Sequence, residues 1–353
     1  MRTCAFVLAS ALSLAVAGCG SSSGGASSSA QSGDAGVARA VKVMIVNMST
    51  FEGPPFRSAL GLDESVPVTG LTRGDPNVHC NADDVCEVTT GMGYANAATS
   101  MTVLLSSPAF DLRHTYFIIA GIAGIDAAQG TLGTAAWARY AVDIGIASEI
   151  DAREMPAGWP YGYFGTGATA PQQAPTTTYG TEVFQLDESF LQAALALSKN
   201  AKLDDSSQAV ATRAHYTSAP ANQPPQVTQC DVASADTWIA GTALEQRARD
   251  WTKLMTKGAG TFCMSAQEDN ATLEVLTRGA AAGAVDMHRV ALLRSASDFA
   301  APYPGQSDSA CLLGSLNSGG LGISTSNLAH AAQPVIQVIV SRWSQWASGV
   351  PKM

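Results

Sequence analysis

The sequence predicts an α/β fold, in which one domain has a central mixed, largely buried sheet flanked by helices. Apolar runs of strand length are each followed by a segment in which small and apolar residues recur at helical spacing, and this order repeats along the chain. The 353 residues are 46% hydrophobic and 14% charged, a composition that supplies a large core. No internal repeat or linker divides residues 41–353.

The first half of this domain holds three predicted strands. The run "VKVMIVNM" (41–48) is short, apolar and rich in valine, which is typical of a buried strand. "VCEVTTGMG" predicts a second strand that ends at Gly91 and Gly93, and "YANAATSMTVLLSS" after it has the spacing of a helix. "TYFIIAGIAG" predicts a third strand, followed by a turn of small residues at Gly121 and Gly124.

The second half follows a loop from Pro156 to Gly180 that is too rich in glycine and proline for regular structure. The aromatic residues of this loop fit either a lid or a surface insertion. Helices are predicted for "TEVFQLDESFLQAALALSKN" and "DTWIAGTALEQRARDWTKLM", then a strand at 260–265 and a helix opened by "AQEDNATL". "LLRSASDF" (292–299) predicts a strand end, "GSLNSGGLGIS" a surface turn, and a last helix begins near Ala332.

The first residues have the pattern of a secretory signal, with an early positive charge, an apolar stretch and then small residues. "VAGC" resembles the bacterial lipobox, which predicts removal of residues 1–18 and lipidation of Cys19; an ordinary signal peptide cut nearby is the alternative. Residues 19–40 are rich in glycine and serine and predict a flexible tether. We therefore expect a bacterial lipoprotein held in the cell envelope by its lipid anchor, with the domain at 41–353 facing the periplasm or the exterior.

Composition excludes several classes of ligand. The formal net charge is -9, and no run of lysine and arginine alternates with aromatic residues, so we expect no nucleic acid partner. The five histidines are scattered, and neither H-E-x-x-H nor C-x-x-C occurs, so we expect no metal and no cofactor. After Cys19 no stretch reaches the roughly 20 apolar residues of a membrane span. G-x-S-x-G does not occur within residues 41–353, which argues against a serine hydrolase.

Five cysteines follow the predicted tether. Cys80 and Cys86 flank the turn-like "NADDV", which favours a local disulfide. Cys230 and Cys311 lie in polar segments and form the second candidate pair, whereas Cys263 lies in the strand-like "GTFCM" and is expected to be a buried free thiol. Spacing alone does not determine the connectivity.

Two acids and an amide, Glu268, Asp269 and Asn270, stand directly before an apolar helical run. Such residues either cap a helix or bind a ligand at its N-terminus. Other polar segments also follow predicted strands, at "NMSTFEG", "GIAGID", "SADTW" and "LLRSASDF". Ligands of α/β sheets bind beyond the carboxyl ends of strands, so these segments are the candidate site.

These segments, in this order, resemble the purine nucleoside permease family, which is similar to the nucleoside phosphorylase and nucleosidase superfamily. The resemblance covers nearly all of residues 41–353 and implies a nucleoside phosphorylase-like domain. "SADTW" resembles the segment whose aromatic residue stacks on the purine, here Trp238. "AQEDNATL" resembles the segment that holds ribose, which implies Asp269 and the neighbouring Glu268, and "SASDF" implies that Asp298 serves the purine ring. "GMGYANAA" and "AGIAG" match the two glycine-rich turns.

Cleavage of an N-glycosidic bond leaves a cationic, oxocarbenium-like sugar and an anionic base. A nearby carboxylate stabilises the sugar cation, and a protonated acid stabilises the departing base. The resemblance gives the catalytic roles to Asp298 and to Glu52, which aligns with the acid that positions water in the nucleosidases. Asn270 is the candidate partner of the base. The positions of the phosphate-binding arginines read Phe51 or Glu52, and Ile119, which favours hydrolysis over phosphorolysis.

The expected function is therefore that of a purine nucleoside-binding protein which supports uptake and passes nucleoside to a separate transport channel. The alternative is a nucleosidase or a phosphorylase that cleaves purine nucleosides. Arg57 and Arg73 lie nearby in the sequence, so a phosphate site formed by these arginines is retained as an alternative. We expect Asp269→Ala to abolish nucleoside binding or turnover with only a modest loss of stability. Superfamily members usually form oligomers, so a homo-oligomer is retained as an alternative to a monomer. No sequence patch identifies an interface.

Overall fold

The computed structural model describes residues 37–352, and Ala38 onward belongs to one compact unit. The predicted signal segment (1–18), the predicted lipidation residue Cys19 and most of the predicted tether (19–40) lie outside the described residues. The end of that tether is ordered, because Arg39–Ala40 form a strand. The folded part therefore begins slightly before the predicted boundary.

The structure has sixteen strands in the described residues. In chain order they are β1 (Arg39–Ala40), β2 (Val43–Asn47), β3 (Glu64–Pro67), β4 (Asn77–Cys80), β5 (Val85–Thr89), β6 (Phe110–Asp111), β7 (Tyr116–Ile125), β8 (Ala135–Ala138), β9 (Tyr140–Asp143), β10 (Ser148–Glu149), β11 (Tyr163–Phe164), β12 (Val183–Gln185), β13 (Val227–Gln229), β14 (Asp231–Ser234), β15 (Phe262–Ala266) and β16 (Val290–Phe299).

The helices of the same region lie between these strands and after the last of them. They are α1 (Gly53–Leu60), α2 (Tyr94–Ser106), α3 (Glu188–Ser198), α4 (Ser207–Arg213), α5 (Thr242–Met255), α6 (Asp269–Ala281), α7 (Asp308–Gly314), α8 (Gly320–Ser341) and α9 (Trp343–Trp346), with short 3-10 turns at Met287–Arg289 and Ser315–Asn317.

One mixed sheet of twelve strands organises the described chain. Its main path runs β12-β9-β14-β15-β7-β2-β5-β4-β3, with β16 beside β7 and β8, and β13 beside β8. The central strand β7 pairs in parallel with β2 and β16 and antiparallel with β15. The predicted α/β fold with a central mixed sheet flanked by helices is confirmed.

Helices cover the sheet because both of its faces are apolar. On one face α8 packs against β16 and β7, where Leu328 and Ile336 are buried. On the other face α2 and α6 pack together, and Met101 and Leu273 are fully buried. Each such side chain contributes about 1.5–3 kcal/mol of hydrophobic stabilisation.

Three helix boundaries differ from the predictions. Helix α3 begins at Glu188, because Val183–Gln185 pairs with β9 and Asp187 caps the helix through Phe190 N. Helix α5 begins at Thr242, which leaves the predicted first helical residues, from Asp236 to Gly241, in a loop. Helix α8 begins at Gly320, well before the predicted start, and its first turns are buried rather than a surface turn. A glycine is needed there, because a Cβ would collide with the Ser297 carbonyl oxygen.

The loop between residues 156 and 180 is a surface insertion anchored on α5. The ring of Tyr163 lies 4.9 Å from that of Trp251, and the Arg247 guanidinium lies 4.3 Å above the Tyr163 ring. These contacts hold the aromatic residues against the protein body. The alternative of a lid has no support in these contacts.

Among residues 37–352 the structure contains two disulfides, Cys80–Cys86 and Cys230–Cys263. The first joins a cross-strand pair of β4 and β5, as the local spacing predicts. The predicted Cys230–Cys311 pair is wrong, and so is the free thiol at Cys263. Strands β14 and β15 are neighbours, which brings the Cα atoms of Cys230 and Cys263 to 5.6 Å, whereas Cys311 is a buried free thiol on α7.

Helices long and apolar enough to span a membrane do not occur among residues 37–352.

Candidate functional site

A cleft lies where the ends of β2, β14 and β15 approach the middle of β7 and β16. Residues that precede α1 and α2 also contribute to its wall, so all the predicted strand-end segments meet here. Counted out to its mouth, the cleft measures about 520 Å³. This position agrees with the rule that α/β proteins bind ligands at strand ends.

Glu52 lies in the cleft wall and is only 2% exposed. Its Oε2 accepts hydrogen bonds from the backbone N–H groups of Met48 and Ser49, both at 2.8 Å, and its Oε1 accepts one from Ile122 N at 2.8 Å. Three backbone donors hold the carboxylate in one orientation. The loop before α1 and strand β7 are therefore joined through this side chain.

Glu268 is the second carboxylate of the cleft. It occupies the N-cap position of α6, yet its side chain makes no capping hydrogen bond. Instead its Oε1 accepts from Gly93 N at 3.1 Å, and its Oε2 lies 3.3 Å from Nη2 of Arg294. Burial raises the pKa of Glu268, whereas Arg294 opposes that rise. The simple capping hypothesis fails for this residue.

Arg294 is the cation of the cleft and was not among the predicted site residues. It lies in the middle of β16, is 1% exposed, and pairs with both Glu268 and Asp269. Burial disfavours the charged guanidinium, but the attraction of the two carboxylates outweighs burial and raises its pKa. Gly121 leaves space for the Arg294 side chain, since a Cβ at position 121 would collide with the guanidinium.

Asp269 and Asn270 do not line the cleft, in contrast to the prediction. Asp269 is fully buried behind it, where its Oδ1 accepts from Nε of Arg294 at 3.1 Å. Asn270 turns toward the 181–182 segment and donates to Thr181 O at 2.8 Å, while its Oδ1 accepts from Ser234. Of the two acids predicted to hold ribose, Glu268 lines the cleft and Asp269 does not. Asp269→Ala would leave Arg294 with one carboxylate fewer, so its loss of stability would exceed the modest one predicted.

Trp238 lines the cleft as predicted and is half-buried, beside Thr237 in the loop after β14. Phe51 and Met92 form the rim and are 44% and 49% exposed. Only about 50 Å³ of the cleft is open to the centre of a water molecule, so a ligand of nucleoside size enters only if the rim side chains move.

The four predicted glycines divide into two groups. Gly91 and Gly93 have φ angles of 86° and 85° and form the turn before α2, as predicted. Gly121 and Gly124 lie inside β7 rather than in a turn. They keep space for side chains from neighbouring strands, Arg294 beside Gly121 and Ser265 beside Gly124.

Asp298 does not line the cleft either. Its neighbour Ser297 does, whereas Asp298 is among the residues that line a separate cavity beside α4 and α7, with its Oδ2 next to Gly124 of the cleft. Its Oδ1 accepts from the Ser297 hydroxyl at 2.7 Å, whereas its Oδ2 has no hydrogen-bond partner in the described residues. Burial raises the pKa of Asp298 to about 6.

The arginines that could have bound phosphate are not available at the cleft. Arg57 pairs with Asp75 at 3.0 Å and lies 3.1 Å from Glu87, and neither Arg57 nor the exposed Arg73 lines the cleft. Among residues 37–352 no group of three or more His, Cys, Asp and Glu side chains is arranged to hold a metal ion.

Comparison with known proteins identifies close relatives. The family model of the purine nucleoside permeases matches residues 40–351. A Schizosaccharomyces pombe "Probable purine nucleoside permease" is 37% identical over 321 residues, which cover 86% of this chain and 90% of that protein. The Candida albicans "Purine nucleoside permease" is 35% identical over 309 residues, which cover 86% of this chain and 76% of that protein.

Two solved structures with a similar fold are nucleosidases. The 5'-methylthioadenosine/S-adenosylhomocysteine nucleosidase of Neisseria meningitidis aligns with a TM-score of 0.53 and 14% identity, covering 84% of this chain and 98% of that one. A Helicobacter pylori enzyme with 5'-methylthioadenosine in its active site gives the same TM-score, identity and coverage. The predicted resemblance in fold is confirmed.

These comparisons correct the predicted localisation. The curated relatives are fungal proteins. A lipobox is a signal for the processing of bacterial lipoproteins. Because these relatives are eukaryotic, the interpretation of "VAGC" as a lipobox is not supported. The prediction of a bacterial envelope lipoprotein anchored through Cys19 is therefore wrong.

Proposed function

We propose that this chain, which belongs to the purine nucleoside permease family, binds a purine nucleoside in the cleft and thereby supports nucleoside uptake. The observation that carries the proposal is the buried Glu268–Arg294 pair in the cleft wall. The two side chains together offer acceptors and donors to the hydroxyl groups of a sugar. Trp238 in the same wall offers an aromatic face to a base.

Hydrolysis of the bound nucleoside is the second candidate function. It is favoured by Glu52, a carboxylate fixed by three backbone N–H groups in the same cleft as Glu268. A carboxylate with a fixed orientation can position a water molecule, and negative charge near the sugar stabilises an oxocarbenium-like transition state. In this role Glu52 would act on water while Glu268 binds the sugar.

Phosphorolysis has less support. The one arginine among the described residues of the cleft wall, Arg294, is already paired with Glu268 and Asp269. With Glu52 nearby, carboxylates outnumber cations around the cleft. A phosphate dianion would therefore be repelled unless another cation moved in.

Glu268→Gln is expected to weaken nucleoside binding about tenfold or more, because an amide replaces a carboxylate that accepts charge-assisted hydrogen bonds. Isothermal titration of the full chain with guanosine and adenosine measures the effect. Glu274→Gln is the matched control, since Glu274 lies on α6 but outside the cleft, and it should leave affinity within twofold. Equal affinities for the two variants would remove Glu268 from the site.

Incubation with adenosine, inosine and guanosine, with and without phosphate, separates the candidate functions. Free base measured by chromatography is expected without phosphate if the chain is a hydrolase, and Glu52→Gln should then lower its release without a matching loss of affinity. Binding with no base released under either condition supports the uptake role alone. Base released only with phosphate would contradict the charge argument, and absence of binding would overturn the proposed function.

A further inference from the structure

The loop after β14 carries Trp238 into the cleft wall and has few attachments to the protein body. Backbone hydrogen bonds fix the loop at Ala235 on one side and at Gly241 on the other. Between these two points, the hydrogen bonds that join residues 236–240 to the rest of the described chain all involve Asp236. The position of the loop therefore depends on this one residue.

The side chain of Asp236 joins the loop to the turn before α2. Its Oδ1 accepts a hydrogen bond from the backbone N–H of Tyr94, the first residue of α2, at 2.7 Å. The N-terminus of a helix attracts a carboxylate, which strengthens such a bond. A Cβ at position 93 would lie 3.0 Å from the same Oδ1, so Gly93 permits this close approach as well as the turn.

The backbone of Asp236 joins the same loop to the segment before α6. Its carbonyl oxygen accepts from Nε2 of Gln267 at 2.6 Å, and Gln267 directly precedes Glu268. Glu268 in turn accepts from Gly93 N at 3.1 Å. Three hydrogen bonds thus close a ring through the segments that precede α2, precede α6 and follow β14. The ring connects the Trp238 loop to the carboxylate that is proposed to bind sugar.

Apolar packing supplies the other attachment of the loop. Ile239 is 2% exposed and lies in an apolar cluster with Ile144 and Trp251. Apolar contacts are non-directional, so they hold the loop against the protein body without setting the orientation of the neighbouring Trp238. Hydrogen bonds are directional, and those of Asp236 are therefore the contacts that orient this part of the loop.

We propose that Asp236 is a positioning residue of the cleft, which orients the Trp238 indole toward the base of a nucleoside whose sugar Glu268 binds. Asp236 is exposed and does not line the cleft, so it acts through Trp238 rather than on the ligand. This inference rests on the proposed function. It gives Asp236 a role in binding, whereas a residue that only caps α2 would contribute to stability alone.

Asp236→Ala removes the bond to Tyr94 and is expected to weaken guanosine binding about tenfold, because small displacements of a binding group have large effects. Asp236→Asn keeps an acceptor oxygen and should restore most of that affinity. In a Trp238→Ala background, Asp236→Ala should change the affinity by less than about twofold, because its effect passes through the indole. Isothermal titration of the full chain with guanosine measures these affinities.

Asp187→Ala is the matched control. It removes a carboxylate that caps α3 through Phe190 N at 2.9 Å, and Asp187 does not line the cleft. Loss of this cap should reduce stability by an amount typical of a helix cap and leave the affinity for guanosine within about twofold.

The chain without ligand provides a second readout. Fluorotryptophan incorporated at all six tryptophans gives fluorine NMR signals, and Trp238→Phe identifies the signal of Trp238. Asp236→Ala should shift or broaden this signal, because the indole is no longer held in one orientation. Asp187→Ala should leave the signal unchanged.

The outcomes separate this inference from the proposed function. Equal losses of affinity in the wild-type and Trp238→Ala backgrounds would reduce Asp236 to a helix cap and overturn the inference. Unchanged affinity in Asp236→Ala, or an unchanged Trp238 signal, would also overturn it. Failure of the wild type to bind guanosine would overturn the proposed function, and the fluorine signal would still decide whether Asp236 positions Trp238.

Discussion

Replacing Arg294 with methionine is expected to lower the free energy of unfolding by about 3–5 kcal/mol near pH 7.5, the range found when one partner of a buried ion pair is removed. Methionine fills much of the same volume but leaves Glu268 and Asp269 without their cation. The guanidinium also donates to the carbonyl oxygen of Ile122 at 2.9 Å, and that acceptor would lose its partner. Most of the loss in the free energy of unfolding should nevertheless come from the two carboxylates left without a cation.

The pH dependence of that loss identifies its cause. Burial already raises the pKa of Asp269 and of Glu268, and Arg294 opposes both rises. Without Arg294 the folded-state pKa values rise further. An acid whose pKa is raised in the folded state contributes stability that is present at low pH and lost as pH increases through the folded pKa. The deficit of Arg294→Met should therefore be largest at about pH 8 and shrink toward about pH 5.

Urea unfolding followed by tryptophan fluorescence at the two pH values measures this difference. Arg278→Met is the matched control, because Arg278 pairs with Glu274 on α6 while its side chain is 77% exposed. An exposed pair of this kind contributes about 0–1 kcal/mol, so its loss should be small at both pH values. A deficit of Arg294→Met that stays constant with pH would assign the loss to packing rather than to the carboxylates.

The strands were predictable because their local signal is strong. The runs that became Val43–Asn47, Val85–Thr89 and Tyr116–Ile125 are apolar over their whole length, which is enough to indicate burial on both faces. The start of α8 was not predictable in this way. Its first turns contain glycine and serine, which have low helix propensity, and the helix forms because small residues allow close packing against β16.

Side-chain partners in the site depended on tertiary structure. Cys263 pairs with Cys230 because β14 and β15 become neighbours, a fact that spacing in the chain does not contain. The sequence indicates Arg294 only weakly, because it is a single charged residue within a run of apolar and small residues. Its partners Glu268 and Asp269 are separated from it by a helix and a turn. A buried arginine between apolar neighbours requires a carboxylate, but the sequence does not say which one.

The opposite effect on stability is expected for Asp298→Asn. Burial raises the pKa of Asp298 from its ordinary 3.8 to about 6, partly offset by the Ser297 hydroxyl. The folded state thus binds this proton more tightly than the unfolded state, and stability falls as pH rises through about 6. Asparagine carries no charge, so near pH 8 the variant should gain up to about 3 kcal/mol over the wild type, relative to their difference near pH 4.

Unfolding of both proteins across this pH range isolates the contribution of one group. Burial also raises the pKa of Glu87 and Glu245 to about 7, but those residues are present in both proteins and cancel in the difference. Asp63→Asn changes an exposed carboxylate, so its difference curve should be flat. A flat curve for Asp298→Asn would mean that Asp298 is already charged and compensated in the folded protein. In that case Oδ2 would accept a hydrogen bond in the folded protein.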